Sequence, residues 1–82
     1  MHQVKDLDQV RLDVTLYFQR NPYARETAES VALRIGRPVS LVAAVLERLA
    51  ELSLLERRSG SEGPALFRYR QPYLREANEP GQ

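Results

Sequence analysis

Arginine is the side chain with which this sequence can do chemistry. Eleven of its twelve basic residues are arginine, set against eleven Asp and Glu. A guanidinium is planar, permanently charged and carries forked donors that match phosphate and carboxylate oxygens. Four arginines, Arg57, Arg58, Arg68 and Arg70, flank the turn-forming stretch from Ser59 to Pro64, and with Glu56 and Glu62 they leave a local excess of two positive charges. Arg34 and Arg37 bracket Gly36. The chemistry this arrangement offers is recognition of anions rather than the making and breaking of bonds.

Bond-making chemistry lacks its parts. The one histidine, His2, stands at the N-terminus, so neither a Ser-His pair nor a metal-histidine site has a base to build on. Without cysteine there is no thiol nucleophile, no zinc or iron–sulfur ligand set and no disulfide framework. The four glycines are scattered and none has the spacing of a phosphate-binding loop. The expectation is a protein that is not an enzyme and takes no cofactor. A formal net charge of +1 also excludes a polybasic arm, so any electrostatic function depends on local arrangement.

The elements that position these side chains follow from periodicity. With 82 residues, 43% of them hydrophobic, there is apolar material for one small core. From about Asp6 to Asn21, Val10, Leu12, Val14, Leu16 and Phe18 alternate as in a strand, while Leu7, Val10, Val14, Tyr17 and Phe18 fall on one helical face. Asp6 with Gln9 as a capping box and Asn21-Pro22 as a stop decide for a helix, which leaves Leu12 and Leu16 on the face away from the core. Ala28, Val31, Ala32 and Ile35 predict a second helix with Thr27 as N-cap and Gly36 as its end. Pro38 suits the first turn of a third, whose stripe is Val42, Val45, Leu46, Leu49 and Leu52. Two apolar runs, Leu54 to Arg58 and Ala65 to Arg70, then read as a hairpin, with Phe67 and Tyr69 on one face. The domain is expected over residues 1–70 and a partly disordered tail over 71–82.

Three helices followed by a hairpin, the second and third joined by a few residues, resemble a winged helix-turn-helix, an α+β fold with a C-terminal β-hairpin wing. The stretch Thr27 to Gly36 is similar to that family's second helix and turn glycine. Val42, Leu46 and Leu49 match the buried positions of its third helix, and Glu51 to Arg58 resembles its approach to the wing, with Ser53 where glycine is usual. The pattern resembles that of MarR-type and related bacterial regulators and covers about Leu7 to Arg70.

The resemblance implies duplex DNA binding in transcription regulation, with the third helix in the major groove and the wing on backbone or minor groove. Stepping 100° per residue from Val42 puts Ser40, Ala44, Glu47 and Glu51 on the outward face, with Ala43 beside them. Ser40 and Glu47 are the residues there able to read a base edge. Arg37, Arg57, Arg58, Arg68 and Arg70 are the candidate phosphate contacts. The alternative is a winged helix that binds protein in a larger assembly, using Leu41, Ala43 and Ala44 beside Leu12 and Leu16. Tyr73 and Leu74 in the tail would cover Leu12 and Leu16 within one chain or cross to a second copy, and a homodimer through these four residues is expected. A cytoplasmic protein without a membrane segment is expected as well.

Overall fold

The computed structural model describes residues 2–60 and 62–70, with side chains from residue 7 onward. The expectations for the tail, including Tyr73 and Leu74, fall outside the described residues. Along the chain come α1 (His2–Arg20), β1 (Arg25–Glu26), α2 (Ala28–Ile35), α3 (Val39–Glu51), β2 (Leu55–Arg58) and β3 (Leu66–Tyr69). The strands form one antiparallel sheet in the order β1-β3-β2. The fold is α+β, three helices with a C-terminal hairpin, in a winged-helix-like topology. No described helix is long and apolar enough to cross a membrane.

Two expectations for α1 are corrected. The helix starts at His2 rather than Asp6, so Asp6 lies inside it and is not its cap. Its end is as expected: the Asn21 side-chain amide donates to the Tyr17 carbonyl, 2.9 Å away, as does the Asn21 backbone N–H. Val10, Val14 and Phe18 are fully buried, whereas Leu7, expected in the core, is 37% exposed near the open end of the helix. Leu12 (52% exposed) and Leu16 (36%) lie on the face that the core does not use.

The second helix is fixed at both ends by side-chain and backbone chemistry legible in its residues. Thr27 Oγ1 accepts from the Ser30 N–H and Ser30 Oγ accepts from the Thr27 N–H, a reciprocal capping box with serine in the usual place of glutamate. Gly36 closes the helix at φ +70, a left-handed conformation that glycine adopts without a steric penalty. Pro38 is the N-cap of α3, and Val42, Val45, Leu46 and Leu49 are its buried stripe. Leu52, counted in that stripe from sequence, instead caps the helix and is exposed. Together with Val31, Ala32, Leu55 and Phe67 these residues and those of α1 form one core.

Where α3 ends, Ser53 N–H bonds the Ala50 carbonyl and Leu54 N–H bonds that of Leu49, a Schellman turn with Ser53 at φ +65. This is the position where the resembled family carries glycine, and the backbone here does require the left-handed region. A Cβ in that region costs about 1–2 kcal/mol, part of which glycine returns as entropy in the unfolded chain. Ser53→Gly should therefore raise the unfolding free energy by about 1 kcal/mol, read as a higher urea midpoint. An unchanged or lower midpoint would refute the strain argument.

Candidate nucleic-acid interface

The sheet distributes the hairpin arginines according to strand parity. On β3, Phe67 is buried and Tyr69 half-buried against the helices, so Leu66 and Arg68 project from the outer face. Register then places Arg25 of β1 opposite Arg68, Glu56 of β2 opposite Arg68 on the other side, and Arg58 opposite Leu66. Arg68 Nε donates to Glu56 Oε1 at 2.8 Å. That hydrogen bond, followed by the charge of Arg68 and the weaker fields of Arg70 and Arg58, holds the Glu56 carboxyl below its ordinary range. Arg68, Arg70 and Arg58 thus act on one carboxylate, Arg25 stands on the far side of Arg68, and a shallow groove of about 170 Å³ runs among Arg25, Glu56, Arg58, Leu66 and Arg68. Arg25 directly across from Arg68 is a like-charge pair, which destabilises a bare sheet and which a bound anion relieves.

Arg57, adjacent to Arg58 in sequence, points the other way. Its Nε donates to Glu47 Oε2 of α3 at 2.9 Å, and its Nη1 donates to Ser59 Oγ. The bridge closes one side of a groove of about 400 Å³ lined by Ala28, Ala43, Glu47, Arg57, Pro64 and Ala65. The outward face of α3 is as the periodicity placed it, with Ser40, Ala44, Glu47 and Glu51 exposed. Arg48 shares that exposure and pairs with Glu51 at 3.2 Å, a positive charge that the helical-wheel reading left out. Both glutamates of the face are therefore matched by an arginine.

The remaining candidates lie elsewhere. Arg37 Nε donates to Asp13 Oδ2 at 2.8 Å, tying the α2–α3 turn to α1, and Arg34 reaches Glu26 at 3.2 Å. The arginines read from sequence as one phosphate-binding set are consequently split over three surfaces: Arg58, Arg68 and Arg70 by the outer sheet face, Arg57 on the α3 side, Arg37 against α1. Sequence reasoning missed Arg25, since a two-residue strand has no periodicity to detect. The signal that was available is Pro22-Tyr23, a turn that returns the chain towards the sheet before Thr27. No known protein-family model matches the chain, and no curated protein matches it.

Proposed function

We propose that this chain is a small winged-helix domain that binds duplex DNA, mainly through backbone phosphates, in transcription regulation. The observation that carries the reading is the outer sheet face, where Arg58, Arg68 and Arg70 act on the Glu56 carboxylate and Arg25 lies across from Arg68 on the other side. Surface pairs such as Arg68–Glu56 contribute at most about 1 kcal/mol, so a phosphate can share or replace Glu56 as the partner of Arg68. Base reading by Ser40 and Glu47 is secondary, and sequence preference is modest.

A titration of mixed-sequence duplex at several salt concentrations tests this. Three newly neutralised phosphates give a log–log slope of about −2.7. Arg25→Ala with Arg70→Ala should shrink that slope by about 2 and weaken binding to every sequence alike. Arg57→Ala, on the α3 side, should leave the slope within about 0.5 of the parent value. A flat salt response, or full affinity in the Arg25/Arg70 double variant, refutes the proposal.

A second reading rests on a specific observation, the charge-matched outward face of α3. With Glu47 and Glu51 paired and Ala43 and Ala44 one turn before Glu47, that face suits a protein surface better than a phosphate backbone. On this reading the domain is an interaction module in a larger assembly, and the duplex titration is flat.

A further inference from the structure

β3 is the central strand, so among the described residues β2 has no partner strand on its other side. The Arg70 N–H donates to the Leu54 carbonyl, which makes 54 and 70 a hydrogen-bonded pair. With the register of β2 on β3, positions 56 and 58 alternate with it and also face β3. Leu55 and Arg57 consequently turn their N–H and C=O groups to the open edge. Along that edge runs a groove of about 560 Å³, lined by Ala50, Leu55, Glu56, Arg57, Arg58 and Ser59. Ala50, the α3 residue beside it, is small and leaves room for a strand.

We propose that this edge pairs antiparallel with β2 of a second copy, joining two three-stranded sheets into one of six strands. The strand is complementary to itself. The edge-facing groups of Arg57 allow a register with the twofold axis between Arg57 and its symmetry mate. In that register Glu56 of each chain stands directly opposite Arg58 of the other, giving two opposite-charge cross-strand pairs on the outer face. The Arg57 guanidiniums that meet near the axis are each already held by Glu47 of the same chain. The other sheet edge, β1, has two residues, too short to template further pairing, so association closes at a twofold dimer instead of growing into a fibre. This dimer differs from one through Leu12 and Leu16, and it does not depend on the DNA-binding reading.

The test uses the full chain without DNA. The paired surface is short and polar, so dimerisation is expected between about 10 µM and 1 mM, read by sedimentation equilibrium. Glu56→Arg and Arg58→Glu each place like charges opposite one another across the axis, and each should weaken self-association by at least about tenfold. An equimolar mixture of the two restores both opposite-charge pairs and should form a heterodimer of parental affinity. On the unmodified chain, amide exchange at Leu55 and Arg57 should slow as concentration rises, a measurement independent of how the variants fold. A monomeric mass up to about 1 mM, variants that dimerise like the parent, or a mixture that stays monomeric overturns the proposal. So does protection at Leu55 and Arg57 that is absent in the dimer, or present in the monomer because another segment of the same chain covers the edge.

Discussion

Leu46→Ala is expected to lower the unfolding free energy by about 2–5 kcal/mol. Leu46 is fully buried in the middle of α3, the helix that packs against α1, α2 and β2 together, so neighbours on several sides are held by other contacts and cannot all close on the vacated space. A chain of this size has a net stability of about 4–12 kcal/mol, so the loss is a large share of it. With a urea slope of about 1 kcal/mol/M, the midpoint should fall by about 2 M or more, or the variant should be unfolded in buffer. Ala44→Ser, on the outward face of the same helix, should move it by less than about 0.5 M. Equal effects at the two positions would mean that α3 is rotated about its axis, and the arrangement of Ser40, Glu47 and the Arg57 bridge would be lost with it.

What the sequence reveals divides along the range of the interactions involved. Helix phases were legible because burial of Val10, Val14 and Phe18, or of Val42, Leu46 and Leu49, imposes a 3.6-residue period that local reading detects. Thr27 and Gly36 were legible because a cap uses groups within a few residues of each other. Ser53 lay at the limit: its departure from glycine was visible, but whether it carried strain depended on a φ that only the Schellman turn sets. Leu7 and Leu52 have the right period and the wrong environment: Leu7 sits at the rim of a groove with Ala44, Val45 and Arg48 of α3 and stays 37% exposed, and Leu52 is the exposed C-cap of α3. The candidate site was least legible. Which arginines share a face depends on strand register, on a third strand of two residues and on partners such as Asp13 and Glu47 that are remote in sequence from the arginines they hold.

Glu26→Ala is expected to cost about 3 kcal/mol at neutral pH, and the cost should depend on pH in a defined direction. Glu26 is only 8% exposed and ties three elements together: Tyr17 Oη of α1 donates to it at 2.5 Å, Ser30 Oγ of α2 at 2.6 Å and Arg34 Nε at 3.2 Å. Burial is the largest single influence on its carboxyl and pushes the pKa up. The hydrogen bonds from Ser30 and Tyr17 and the charge of Arg34 outweigh it, and the net displacement is downward. A carboxyl with a depressed folded-state pKa contributes stability that is complete above its unfolded value, about 4.3, and is lost as the pH falls through the folded value. Tyr17 is displaced the opposite way, upward, first by burial and then by its hydrogen bond to the Glu26 carboxylate, so its contribution is complete below about pH 10 and lost above it. Alanine at 26 leaves the Tyr17 hydroxyl without its acceptor, whereas the Ser30 hydroxyl keeps the Thr27 carbonyl at 2.9 Å and Arg34, more than half exposed, returns to water; that is why the loss stays near the lower end for a buried ion pair. Glu26→Gln keeps an acceptor and removes the charge, so its deficit relative to the parent, about 1–2 kcal/mol at pH 7, should shrink as the pH falls below the unfolded carboxyl value of about 4.3 and through the lower folded one. Urea unfolding of parent and Gln variant from pH 3 to 7 measures this directly. A deficit that is constant across that range would show that the carboxylate charge has no part in joining α1, β1 and α2.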